Sequence, residues 1–391
     1  MTPAARVQAA IELLDGIIAA ARESGAAADA MIVRYFKTRR YAGSKDRRAV
    51  RALVYRAVRR AGEPPASGRA AMLGLAGEEP ELGALFDGSP HAPAPVQAGE
   101  PAAPAAIAPA WLLDRLDPLV GEDERLALLD RAPLDLRVNR LKGDREAALA
   151  ALPEAMPTPH APLGLRLPEG TRVAETDAWQ SGLVEVQDEG SQLICLACAA
   201  RPGERVIDLC AGAGGKTLAL AADMANQGAI LAADSDRARL SRLAPRLARA
   251  GVTIVEPRLL DPGRESEMLQ GIEADLVLVD APCSGSGTWR RNPETRWRAT
   301  PERLARVVEL QARLLDIAAG LLAPGGRLVY AVCSLLAEEG SEQAAALTAR
   351  SSLVPETIAM PAGRDAGSGR LLTPGHDGTD GFFIAHWRRP C

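Results

Sequence analysis

The chain has 391 residues, enough for two or three domains with buried cores. It is 47% hydrophobic and 25% charged, the balance of an ordinary soluble globular protein. No apolar run is long enough for a bilayer, and no signal peptide or short-spaced disulfide framework is present. These absences exclude a membrane-spanning chain and a secreted disulfide scaffold. The six cysteines are therefore expected to be reduced thiols in a cytoplasmic monomer without membrane partners.

The net charge of −4 hides an uneven distribution. Residues 1–62 are expected to form a helical domain. Val7, Ile11, Leu14 and Ile18 recur at helical spacing, and Arg47, Val50, Leu53, Val54 and Val58 mark a second helix. Ala42-Gly43-Ser44 breaks the two, with Ser44 the expected N-cap. From Arg34 to Arg60 there are eleven Lys/Arg against one acid, Asp46. That excess reads as a phosphate-binding surface, with Arg39, Arg40, Lys45, Arg47 and Arg48 as candidate RNA contacts. Aromatics are only 3%, so nucleic-acid contact should lean on arginine.

Residues 63–108 shift to Pro, Ala and Gly and read as a poorly structured linker. Residues 109–185 read as a small α/β module, with a helix near Glu122–Asp130 and a strand at Leu134–Asn139. The remainder, 186–391, alternates short apolar strands with helices: Val206–Leu209, Ile230–Asp234, Thr253–Val255, Leu276–Asp280 and Leu328–Val332. Helices are expected from near Lys216, Asp236 and Pro301. The rhythm predicts an α/β doubly wound, mostly parallel Rossmann-like sheet with ligands beyond the carboxyl ends of its strands.

The first strand runs into Cys210-Ala211-Gly212-Ala213-Gly214-Gly215-Lys216-Thr217, a glycine-rich turn that lets backbone amides approach a ligand. A Walker loop needs glycine where Cys210 stands, and the dinucleotide fingerprint needs Gly or Ala where Thr217 stands. Asp234 ends the next strand and suits a ribose with free hydroxyls. An adenosine-type cofactor without phosphates, S-adenosylmethionine, fits this pattern.

Two cysteines stand at strand ends. Asp280-Ala281-Pro282-Cys283-Ser284-Gly285-Ser286-Gly287 follows one strand and Tyr330-Ala331-Val332-Cys333-Ser334 closes the next. Adjacent strands would bring both thiols to one rim, facing the cofactor cleft. Cys195-x-x-Cys198 lacks a second pair or nearby histidine and reads as core packing, so no metal is expected.

With these motifs the chain resembles the Sun/Nop family of RNA cytosine-5 methyltransferases, in its bacterial RsmB (Fmu) branch. Further matching stretches are Arg131–Asn139, Val186–Gln192, Arg290-Arg291 and Asp380-Gly381-Phe382-Phe383. The resemblance implies that Cys210 to Lys216, Asp234, Asp261 and Asp280 line the cofactor. It implies Cys333 as nucleophile and Cys283 as its helper in product release. Asp280 would hold the cytosine. It further implies a shortened NusB-like RNA-binding N-terminal domain and an RNA-contacting middle module, with Arg137, Asn139, Arg290 and Arg291 among the RNA contacts. Ribosomal RNA is the favoured partner, with transfer RNA and a non-catalytic ribosome-assembly factor as open alternatives. Two positions depart from the family pattern: Gly212-Ala213 stand where Ala-Pro is usual, and Val332 stands where threonine usually precedes the nucleophile.

Overall fold

The computed structural model describes residues 1–23 and 25–391. They divide into two compact units, Met1–Leu116 with Arg125–Asp130 and Thr288–Pro301, and Asp117–Glu124 with Arg131–Gly287 and Glu302–Cys391.

The first unit is helical. Helix α1 (Pro3–Glu23) buries Val7, Leu14, Ile17 and Ile18, a stripe at helical spacing. Helix α2 (Ala28–Lys37) and helix α3 (Ser44–Arg60) complete the basic segment, α3 turning Val50, Val54, Ala57 and Val58 inward. Its N-cap is Gly43, one residue before the expected Ser44, because Asp46 at the third helical position supplies the capping bond. The Asp46 carboxylate accepts the Gly43 N–H at 3.3 Å and also pairs with Arg6 and the Met1 ammonium.

The linker expected over 63–108 is corrected at 68–83, which forms helix α4 (Gly68–Ala76) and helix α5 (Pro80–Gly83). Ser67 caps α4 by accepting the Ala70 N–H at 3.1 Å. Met72, Leu75, Leu82 and Phe86 join the core of α1 and α3. The small residues that gave this stretch its linker-like composition permit close packing. A Cβ at Gly68 would stand 2.2 Å from the Ile11 carbonyl oxygen.

The same unit takes in Thr288–Pro301, which sequence reasoning left with the C-terminal domain. Arg296 is fully buried and donates to the carbonyls of Val58 (2.7 Å), Arg59 (3.1 Å) and Pro293 (3.0 Å), and to that of Ile107. The Trp297 indole N–H donates to Ala61 O at 2.7 Å. Backbone carbonyls at the end of α3 thus find their partners in a segment far along the chain.

The second unit holds two sheets. The smaller is antiparallel, in the order β2 (Met156–Pro157), β3 (Gly164–Leu167), β1 (Leu134–Val138), β4 (Val184–Val186). Leu136, Val138, Leu165, Leu167 and Val184 form its core.

The larger sheet runs β7 (Val255–Leu259), β6 (Ala229–Asp234), β5 (Arg205–Asp208), β8 (Ala274–Asp280), β9 (Leu322–Val332) in parallel. Antiparallel strands then follow: β13 (Phe382–Arg388) beside β9, β12 (Gly369–Leu372), β11 (Arg364–Ala366), and β10 (Val354–Pro355) against β13. Leu276, Val277, Leu278 and Val279 of β8 are all buried, as expected of a strand covered on both faces. The third strand starts later than expected, at Val255. Strand β9 carries an irregularity at Pro324–Gly326: Ala274 pairs with Leu322 but Leu276 pairs with Arg327, and Gly325 takes φ +74°. No helix among the described residues is long and apolar enough to cross a membrane.

Candidate active site

The parallel strands β5, β6 and β8 deliver three carboxylates to one rim: Asp208, Asp234 and Asp280. Between the first two lies the glycine-rich turn, and helix Gly215–Asp223 leaves it. Gly212 and Gly214 hold φ of +55° and +82°, so the glycine standing at the family's usual alanine position occupies left-handed backbone that favours glycine. The Gly212 N–H donates to Asp234 Oδ2 at 2.7 Å, and the Asp236 N–H donates to Oδ1 at 2.7 Å. A carboxylate offers about four acceptor sites, which leaves Asp234 capacity for further donors.

Asp208 is fully buried. Its Oδ2 accepts the Thr217 hydroxyl at 2.6 Å, while Oδ1 has no hydrogen-bond partner among the described residues. Burial pushes its carboxyl up to about 7. Lys216 donates to Asp280 Oδ2 at 2.6 Å. Burial alone would lower the ammonium, yet the attraction of Asp280 overrides it and holds Lys216 well above its usual value. The Asp234 carboxylate at the end of β6 and the close-approaching glycine backbone suit a ribose with free hydroxyls. The residues present fit S-adenosylmethionine.

Asp261 lies just past β7, where Leu260 N–H donates to Asp234 O at 2.9 Å; its side chain is exposed, 3.9 Å from Arg264. Cys210 sits in the turn, its thiol pushed well up by burial and by Asp280, Asp208 and Asp234. Cys195 and Cys198 are buried in the core beneath the sheet, as the sequence implied.

Strands β8 and β9 pair in parallel with Asp280 opposite Ala331, so the loops that leave them start side by side. The Cys283 and Cys333 sulfurs stand 3.3 Å apart. The Gly287 N–H donates to Cys333 O at 3.1 Å, and the Gly381 N–H donates to Gly287 O at 2.8 Å. A Cβ on Gly287 would stand 2.0 Å from Gly381 O, so the Asp380–Phe383 stretch seals the back of the Cys283 loop with its backbone. Contact with Cys333, burial and the nearby Glu339 charge push the Cys283 thiol well above its usual value. Val332 is a buried strand residue paired with Phe383.

Three expected RNA contacts are corrected. Arg137 is buried and its Nε donates to Gln187 Oε1 at 2.6 Å. The buried Asn139 amide, just past β1, donates to Gly182 O (3.0 Å) and to Ala250 O (2.9 Å) at the end of helix Leu243–Ala250. Arg290 is buried within the helical unit, and Arg291 beside it is half-buried. In the basic segment, Arg39 stacks on the Tyr35 ring at 3.6 Å and pairs with Glu12, and Arg47 donates to Ala42 O at 2.9 Å. Arg40, Lys45 and Arg48 are exposed and without an ion pair among the described residues, as are Arg34 and Lys37, which sequence reasoning did not single out.

Two further residues were missed. Tyr41, between Arg40 and Lys45, is 72% exposed. An aromatic flanked by cations was the signal, obscured by the low overall aromatic content. Glu339 is a buried carboxylate hydrogen-bonded to both cysteine loops. The serines that follow both cysteines were its only trace in the sequence.

A parallel sheet continued by antiparallel strands, with a glycine turn and an acid-lined rim at its carboxyl ends, defines a Rossmann-like methyltransferase. Residues 195–388 match the family model described as 16S rRNA methyltransferase RsmB/F. The ribosomal RNA small subunit methyltransferase B of Klebsiella pneumoniae is 39% identical over 285 residues, 71% of this chain and 65% of that protein. A solved methyltransferase homologue from Pyrococcus horikoshii is 30% identical over 71% of this chain and 94% of its own, with a TM-score of 0.63. The crystal structure of PH0851 is 25% identical, covers all of both chains and has a TM-score of 0.78. The chain belongs to the RsmB/F branch of the Sun/Nop methyltransferase family. It spans about 65% of the length of the curated relative it matches.

Proposed function

We propose that this protein methylates carbon 5 of a cytosine in small-subunit ribosomal RNA, using S-adenosylmethionine. The observation that carries the reading is the approach of the two thiols, 3.3 Å apart, beside the acid-lined rim. Backbone amides of Cys210–Lys216 and the Asp234 carboxylate would hold the cofactor, with Asp261 near its base. When bound, the cofactor supplies an electrophilic methyl on a sulfonium.

Carbon 5 of cytosine is a weak nucleophile. The Cys333 thiolate adds to carbon 6, and the electron pair moves toward carbon 5; the bound cofactor would supply the methyl group to it, its sulfur keeping the S–CH3 bonding pair and leaving as a thioether. Asp280 accepts hydrogen bonds from the exocyclic amine and the protonated ring nitrogen, favouring the form that accepts this electron density. Loss of the carbon 5 proton to a base expels the Cys333 sulfur and restores the ring. Cys283, kept as a thiol beside Cys333, assists that release. The cytosine must leave its stack to reach this rim.

Incubation with methyl-labelled cofactor and small-subunit ribosomal RNA, followed by nucleoside analysis, should yield labelled 5-methylcytidine. Label in another nucleoside, or none, overturns the reading. Label confined to transfer RNA moves the substrate and keeps the chemistry.

The unpaired cations Arg34, Lys37, Arg40, Lys45 and Arg48, with exposed Tyr41, are assigned to the RNA backbone and an unstacked base. Joint substitution Lys45→Ala and Arg48→Ala should reduce the slope of log K against log salt by about 1.5, at roughly 0.7–0.9 for each phosphate no longer neutralised. A filter-binding titration across salt concentrations checks this, and an unchanged slope removes the two residues from the interface.

A further inference from the structure

The residue after each cysteine is a serine, and both hydroxyls converge on one carboxylate. Glu339 Oε2 accepts the Ser284 and Ser334 hydroxyls, each at 2.5 Å. Its Oε1 accepts the Ser284 N–H at 2.8 Å and the Gln311 amide at 2.9 Å. Gln311 also donates to Pro282 O at 2.8 Å, one residue before Cys283. Ser334 and Ser286 share a hydroxyl hydrogen bond of 3.0 Å, and Ser286 accepts the Leu335 N–H at 2.8 Å. Glu339 therefore stands at the centre of a network that includes residues on both sides of Cys283 and the one after Cys333.

Glu339 is fully buried and has no cationic partner among the described residues. Holding a carboxylate there is costly, since desolvation is met by hydrogen bonds alone. A neutral amide of the same shape would make a comparable set of bonds, because serine hydroxyls can donate or accept. The charge needs a reason beyond scaffolding.

We propose that Glu339 is a positioning residue for the reaction: it clamps the two cysteine loops so that their sulfurs meet, and its negative charge keeps the proton on Cys283. The proposal rests on the reading of the thiol pair as the reactive centre. Glu339 adds to the push of burial and of Cys333 that holds the Cys283 thiol above its usual range. The other groups around the pair are Lys216, whose cation attracts charge at Cys333, and Asp280, Cys210 and the buried Tyr330, whose hydroxyl donates to Glu339 O at 2.7 Å. Glu339 opposes a thiolate at Cys283, the sulfur that stands 3.3 Å from Cys333, so the proton stays on Cys283.

The test uses the full chain: alkylation is followed without RNA or cofactor, and turnover is then measured with both. Iodoacetamide alkylation of Cys283 and Cys333 is followed across pH by peptide mass spectrometry. In Glu339→Gln the charge is gone and the bonds remain, so the Cys283 profile should move to lower pH by about one unit, close to tenfold more thiolate at neutral pH. Glu339→Asp keeps the charge but shortens the clamp, so it should hold the profile near wild type while kcat falls about tenfold or more and cofactor affinity stays unchanged. An unmoved profile in Glu339→Gln overturns the electrostatic role, and full turnover in Glu339→Asp overturns the clamp. Alkylation is read without methyl transfer, so failure of the proposed reaction and failure of this inference are distinct outcomes.

Discussion

Cys333→Ala is expected to abolish methyl transfer, lowering kcat by at least about 10⁴-fold, the scale on which removal of a covalent nucleophile acts. Cys283→Ala is expected to accumulate a protein–RNA adduct that survives denaturing electrophoresis. The asymmetry follows from the roles proposed for the two sulfurs. Without Cys333 nothing adds to carbon 6, and the ring carbon stays too electron-poor to accept a methyl group. Without Cys283 the addition proceeds, but the thiol that assists release is missing and the enzyme stays bonded to its product. The separation of 3.3 Å is short enough for a neutral Cys283 to donate toward a Cys333 thiolate, and Cys283 is the sulfur held above its ordinary range. The double variant should behave like Cys333→Ala, because no adduct can form for Cys283 to resolve. An adduct in Cys333→Ala, with normal turnover in Cys283→Ala, reverses the two roles.

The large sheet was legible because its strands carry their own signature. A strand buried on both faces is a continuous apolar run, so Leu276–Val279 declares itself without tertiary knowledge. Once two such strands are parallel neighbours, the residues just past their ends share a rim, which is how the pairing of Cys283 with Cys333 could be read from spacing. Which sulfur attacks came from the family resemblance, not from spacing. The rest depended on partners distant in sequence. Arg137 and Asn139 were expected at the RNA from the family resemblance, but burial is decided by acceptors such as Ala250 O, which lies 111 residues beyond Asn139. Residues 68–83 read as linker because Ala and Gly obscure helical periodicity, while the surface they pack on belongs to α1 and α3. Glu339 was invisible because a buried acid has no sequence pattern of its own; only the serines that bond it hint at an acceptor.

Asp280→Asn should lower kcat/KM by about 10²- to 10⁴-fold, the range expected when a positioned acid–base group is removed. Asp280 ends β8, and its Oδ2 is committed to Lys216 at 2.6 Å. Its Oδ1 makes no hydrogen bond among the described residues, and the side chain is partly open to solvent. Cytosine in the form that accepts electron density presents two donors, the amine and the protonated ring nitrogen. A carboxylate can accept from both while still accepting from Lys216. An asparagine of the same size cannot: its amide oxygen serves either the lysine or the base, and its NH₂ then faces a donor on the other side. The loss should therefore appear in chemistry as well as binding, with the rate of Cys333 adduct formation falling in step with turnover. Lys216 loses its main stabilising charge in the same variant, which adds a modest destabilisation of about 1 kcal/mol for a pair that solvent partly screens. Urea unfolding measures that contribution separately, so that reduced folding is not mistaken for lost catalysis. Turnover within a few-fold of wild type would leave Asp280 only its ion pair with Lys216, and the base would have to be held by another group at the rim.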